Sequence, residues 1–195
     1  MKAKLLDLIC RFLCRFVNKH DFFVATGNTI LPPKQNPNRN FYDIDNLADY
    51  QEICRKYNFT VTDADVKDRF DQKQHLCVIT EDDHYGCWGW YTTTTADFAV
   101  TEIACSSPVP ENTTILFHYY TNENHRRKGF YFELLKNVVI SSKKEYAIIY
   151  AYDRNIASSS AIKKAGFQHI GRMNHKTFIP FSQMISVYNA EDKHK

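Results

Sequence analysis

The stretch from Thr113 to Gly171 constrains this chain more than any other part of it. It opens on a β-branched and aromatic run, Thr113–Thr121, which reads as a strand buried on both faces. A polar loop, Asn122-Glu123-Asn124-His125, leads into Arg126-Arg127-Lys128-Gly129. Helical periodicity begins at once, with Phe130, Leu134, Leu135 and Val138 on one face. A strand over Tyr146–Tyr152 follows, then a helix over Ile156–Lys164 that Gly166 closes as a C-cap. The first N–H groups of a helix are unpaired and carry the positive end of its dipole. A basic turn ending in glycine at such a point reads as a phosphate site, Gly129 letting the backbone approach the anion, or as a solvated turn. It is neither a Walker loop nor a dinucleotide fingerprint, because both of those spacings are absent.

The rest of the chain fits an ordinary globular balance. Hydrophobic residues make up 44% and charged residues 24% of 195, which excludes disorder and collagen-like fibres. The 12 Tyr and 14 Phe point to a substantial sheet. Phe22–Thr26 reads as a strand, 31–40 as a proline- and asparagine-rich loop, and 45–57 as a helix. A short helix is expected from Thr62, with Asp65 as a capping-box variant, to about Gln72. His75–Thr80 and Gly86–Thr94 read as a hairpin, Ala99–Ala104 as a strand, Ser106–Asn112 as a loop, and 168–175 with 178–188 as a final strand pair.

Charge is unevenly placed. Residues 1–20 hold five Lys or Arg against one acid, a net +4, which leaves −1 for the remainder. The body is therefore not a nucleic-acid binder by charge. Residues 3–19 have helical periodicity, with Leu5, Ile9, Phe12 and Phe16 facing one way and Lys4, Arg11 and Arg15 the other. This helix reads as one packed on its own domain or on a second copy of the chain, or as a basic amphipathic helix in peripheral contact with a membrane surface. The expected division is therefore the helix 1–20, a domain over 21–190 and a polar tail 191–195. No run of about 18 apolar residues exists to span a membrane. The six cysteines, at 10, 14, 54, 77, 87 and 105, lack zinc spacing, so no metal is expected. Cys77 and Cys87 read as core residues in a reducing, cytoplasmic setting.

The turn has companions downstream: Asn155-x-x-Ser158, Lys164-x-Gly166-Phe167 and Ile170-Gly171. With Arg126-x-x-Gly129-x-Tyr131 they resemble the GNAT superfamily of N-acetyltransferases. In that family an R/Q-x-x-G-x-G/A loop between strand and helix wraps the pyrophosphate of acetyl-CoA, and an N-x-x-[AS] helix start and a K-x-G-F ending follow. The resemblance covers most of 22–188. It implies an α/β (α+β) fold with a mixed, mostly antiparallel central sheet, two splayed parallel strands and flanking helices. It implies acetyl-CoA as cosubstrate, held by Tyr120, Thr121, Arg126, Arg127, Lys128, Gly129, Phe130, Tyr131, Asn155 and Ser158. A base or acid is expected on the strand 113–121, with His118 and Tyr119 as the catalytic candidates and Glu102 and His84 behind them; ordered water is the alternative. Without a bulge, His118 and Tyr120 face one way and Phe117 and Tyr119 the other.

Two positions depart from the family pattern. Tyr131 stands where Gly or Ala is usual, so its side chain must point away from the phosphates. Ile162 stands where many members carry a Tyr that protonates the leaving thiolate, and it has no proton to give. The acceptor is expected to be a small-molecule amine. An amino sugar, free or nucleotide-linked, comes first, because Tyr, Trp88, Trp90, Asn and Thr are frequent over 28–73 and 84–112, a pattern that reads equally well as an aromatic core. A protein lysine or N-terminus comes second, and a non-catalytic acyl-CoA- or partner-binding module on the same fold is the rival.

Overall fold

The computed structural model describes residues 17–27, 29–34, 36–61, 66–93, 98–100, 105–107, 111–178 and 182–189. The expected helix over 3–16, the Thr62–Asp65 capping pair, Glu102 and the tail 191–195 lie outside the described residues.

Strand pairing in the hairpin region builds the sheet outward from its alternating residues. β3 (Gln74–Glu81) and β4 (His84–Thr92) pair antiparallel about the turn at Asp82-Asp83. Leu76, Val78, Trp88 and Trp90 face one side, and Cys77, Ile79, Cys87 and Tyr91 face the other. β2 (Arg39–Ile44) adds to β3 at one edge. On the other side β4 pairs antiparallel with β7 (Thr113–Thr121), and β7 pairs parallel with β8 (Tyr146–Tyr152). β1 (Val17–Thr26) then pairs antiparallel with β8 and with β9 (Gln168–Phe178), and β10 (Ser182–Asn189) closes the far edge. The order is β10-β9-β1-β8-β7-β4-β3-β2, and β5 (Phe98–Val100) and β6 (Cys105–Ser107) form a separate two-stranded sheet. This is the mixed, mostly antiparallel sheet that the resemblance implied.

Among the described residues four helices flank it. α1 (Leu47–Tyr57) is capped by the Asn46 side chain, which accepts from Asp49 N at 3.0 Å, and it ends on Asn58 at φ +45°. With α2 (Val66–Asp71) it covers Leu76, Val78, Trp88 and Trp90. α3 (Phe130–Ser142) and α4 (Ile156–Lys164) cover the opposite face, where Leu134, Leu135, Val138 and Ile162 are buried against Cys77, Ile79, Leu116 and Ile149.

Several expectations are corrected. β1 begins at Val17, so residues 17–19 belong to a strand and not to the amphipathic helix read over 3–19. β2 starts inside the segment read as a loop, and Ser106 and Ser107, also read as loop, pair in β6. The aromatic acceptor wall loses its tryptophans: Trp90 is 0% and Trp88 7% exposed, so both are core residues.

Candidate functional site

The parallel pair β7–β8 comes apart partway along its length. Register runs from Thr113↔Tyr146 to Leu116↔Ile149 and stops there. Beyond that point the residues of β7 pair only with β4, and the end of β8 only with β1. A cleft of about 970 Å³ opens in the gap. Its walls are Tyr119, Tyr120 and Thr121 of β7, the turn with Arg126, Arg127 and Gly129, the start of α3, and the α4 face with Asn155, Ser158 and Lys164.

A bulge in β7 sets which side chains reach the cleft. His118 has φ +54°, and His118 and Tyr119 together face the single Gly89 between the pairs Trp90↔Phe117 and Trp88↔Tyr120. The simple alternation is therefore broken: Phe117 packs on the α1–α2 side and Tyr119 on the α3–α4 side. Tyr120 leans toward Trp88, with ring centroids 6.0 Å apart, and is 41% exposed.

The loop after β7 is tightly built. Asn122 N–H donates to Gly86 O at 2.9 Å, and its side chain accepts from Asn124 N at the start of a single 3₁₀ turn, Glu123–His125. Arg127 at φ +64° and Gly129 at φ +85° are both left-handed. Gly129 is the N-cap of α3 and offers no side chain to the N–H groups of the first turn. A Cβ built on Gly129 would meet nothing within 4 Å, so the space that a side chain would fill is open cradle.

Ten of the expected residues line this cleft: Tyr119, Tyr120, Thr121, Arg126, Arg127, Gly129, Phe130, Tyr131, Asn155 and Ser158. Arg126 is paired with Glu123 at 3.2 Å on the exposed rim. Lys128 and His118 are not in the lining. Tyr131 turns toward α4, where its hydroxyl meets Ser158 Oγ at 3.1 Å, and burial pushes its phenol pKa up. Asn155 accepts from Ser158 N at 3.1 Å, so the N-x-x-S pair is a helix cap as well as a cleft wall. Ile162 is wholly buried in the core.

The two catalytic candidates are placed against their expected roles. His118 Nδ1 lies 2.9 Å from Arg69 Nη2. A guanidinium only donates, so Nδ1 accepts and the neutral ring carries its hydrogen on Nε2. Burial, with Cys77 beside it, holds the Tyr119 phenol well above the ordinary range, and its hydroxyl lies 3.9 Å from Cys77 Sγ, inside the core. In this structure His118 Nδ1 is engaged by Arg69, and Tyr119 lines the cleft with its hydroxyl turned toward Cys77. His84 lies with its ring 6.3 Å from that of His125, and His125 is the histidine that lines the cleft. Burial and the nearby Lys128 lower the His125 pKa, which favours the neutral ring.

Arg39 was not among the residues singled out in the sequence. Its Nη2 donates to Lys128 O at 3.1 Å, its Nη1 to Glu133 Oε2 at 2.7 Å and its Nε to Glu81 Oε1 at 2.9 Å. No local signal could have found it, because its partners lie far along the chain.

Comparison with known proteins agrees with this geometry at the level of fold. No protein-family model and no curated protein matches the sequence. Solved structures do match. A GCN5-related N-acetyltransferase from Kribbella flavida is 11% identical at TM-score 0.51, over 77% of this chain and 54% of its own. A GNAT-family protein from Novosphingobium aromaticivorans is 14% identical at TM-score 0.53, over 81% and 62%. A GCN5-related N-acetyltransferase-like protein from Streptococcus suis is 13% identical at TM-score 0.50, over 86% and 65%. The chain spans less than two thirds of the length of each of these. It has the GNAT fold. Among the described residues no helix is long and apolar enough to cross a membrane.

Proposed function

We propose that this chain is an N-acyltransferase that moves an acetyl group from acetyl-CoA to a primary amine. The observation that carries the reading is the parting of β7 from β8 after Leu116 and Ile149, with the uncapped start of α3 at the mouth of the gap. An open strand edge accepts an extended amide chain as an added strand, which suits pantetheine along 117–121. The N–H groups beyond Gly129, with Arg126 and Arg127, suit a pyrophosphate. Tyr120, Thr121, Asn155 and Ser158 would wall the remainder.

Acetyl-CoA supplies a thioester whose carbonyl carbon an amine attacks, so that a C–N bond forms, the C–S bond breaks and the CoA thiol is released. The unpaired β7 edge offers backbone N–H groups to the carbonyl oxygen as charge grows on it. The attacking amine must lose a proton, and with His118 Nδ1 engaged by Arg69 and the Tyr119 hydroxyl turned toward Cys77, we assign that step to water. The thiolate, from a thiol of pKa about 8.5, departs without a side-chain acid at Ile162.

An amino sugar is the acceptor we favour, reached in the cytoplasm, with the segment ahead of β1 making peripheral membrane contact or joining two copies of the chain. Release of CoA thiol across a panel of amino sugars, small amines and peptides tests the reading. Amine-dependent release supports it. Acetyl-CoA binding without release with any amine would make the protein a non-catalytic binder on this fold.

A further inference from the structure

We propose that Arg39 is the positioning residue of the anion-binding turn: it fixes the Lys128 carbonyl and the first turn of α3 so that the N–H groups beyond Gly129 face the cleft. The proposal rests on the acyl-CoA reading for the identity of the anion.

Arg39 opens β2, the edge strand four places from β8, yet its guanidinium reaches the turn that closes the cleft. Lys128 sits between the two left-handed residues, Arg127 and Gly129. Such a turn holds its shape only when its surroundings determine it. Arg39 Nη2 holds the carbonyl at its centre. Nη1 holds Glu133, in the first turn of α3, and Nε holds Glu81 on β3, so one planar group ties strand, helix and turn together. The guanidinium carbon lies 3.9 Å from the centroid of the Phe130 ring, and His125 meets that ring edge-on at 5.1 Å. The seat beneath Phe130 is Gly86, where any Cβ would strike the ring.

The arrangement is a fork and not a point charge. The side chain of Arg39 is 12% exposed, with two carboxylates on it, so it is neutralised and spent on geometry and adds little field at the cleft. A lysine would keep the charge but could not reach three partners in separate directions while stacking on Phe130.

The test compares wild type, Arg39→Lys and Arg39→Met by two readouts. In ligand-free protein, amide hydrogen exchange at Glu133, whose N–H donates to Gly129 O at 3.0 Å, and at the next amides of α3 should quicken about tenfold in both variants, with the amides of α1 unchanged. Calorimetric titration with acetyl-CoA should show a dissociation constant about tenfold higher in both, the lysine failing to rescue. Wild-type exchange and affinity in Arg39→Lys would overturn the proposal, as would exchange that quickens evenly through the whole sheet. If Arg39→Met does not fold, the lysine variant decides. If wild type binds no acetyl-CoA, the acyl-CoA reading falls, and the exchange data still decide the role of Arg39.

Discussion

The hydroxyl of Tyr131 meets Ser158 Oγ at 3.1 Å and so joins the first turn of α3 to the first turn of α4 across the cleft. A bulky residue at this position is compatible with an open phosphate cradle because its ring is drawn toward α4, with Tyr119 at 5.5 Å. Tyr131→Phe and Ser158→Ala should each cost about 1 kcal/mol in urea unfolding. The double variant should cost less than the sum, by roughly 0.5 kcal/mol or more. Strict additivity would mean that the two hydroxyls do not interact in solution.

Gly129 carries two demands at once. Its φ of +85° disfavours any side chain, so Gly129→Ala should lose about 1–2 kcal/mol of stability. Gly129→Glu adds a carboxylate at the mouth of the cleft. Acetyl-CoA at about 100 times its dissociation constant should stabilise wild type by roughly 2.7 kcal/mol in thermal unfolding. A folded Gly129→Glu variant should show no such shift, and a shift equal to that of wild type would place the anion elsewhere.

Gly86 is constrained by packing. A methyl group there would overlap the Phe130 ring, so Gly86→Ala should destabilise by about 1–3 kcal/mol and displace the start of α3. Its melting temperature should drop and its acetyl-CoA affinity should fall with it. A variant as stable as wild type would show that Phe130 can repack freely.

A pH-dependent contribution comes from His75. Its Nδ1 lies 3.1 Å from Asp43 Oδ1, and that hydrogen bond raises the histidine pKa above its ordinary 6.5 against the opposing effect of burial. The stabilisation is therefore complete below pH 6.5 and is lost as pH rises through the folded value. His125 is shifted the other way, so the difference between proteins is the quantity to read. Urea midpoints of wild type and His75→Gln should lie further apart at pH 6 than at pH 8.5. A gap that does not change with pH would remove His75 from the account.

Much of the framework from Thr113 to Phe167 was legible because its signals are local. Asn155 caps the residue three places on, Gly166 sits at φ +105°, and the apolar face of α3 repeats at helical spacing. The unread parts depend on distant partners. β2 hides in a run of Asn and Pro and becomes a strand because Phe41 and Ile44 are matched to Ile79 and Leu76. The left-handed His118 follows from the fit of two residues against Gly89, and no property of histidine announces it. Val17–Lys19 continue an apolar periodicity that looks helical until Met173 and Tyr152 pair with His20. The tryptophans read equally as binding wall or core because composition does not report which side of a sheet is covered, and the structure places both in the core.

The place of β1 in the sheet has a consequence for how the protein is made. It is the first strand described in the chain, yet both its neighbours, β8 and β9, come near the end. On the ribosome Phe23 must wait for Ile149 and His169 to be translated before either edge of its strand is covered. Pairings this remote in sequence close slowly, and uncovered strand edges invite association between nascent chains. The half of the sheet from β2 to β7 can assemble early, while the cleft, whose far wall is β8, forms only when the returning chain captures β1.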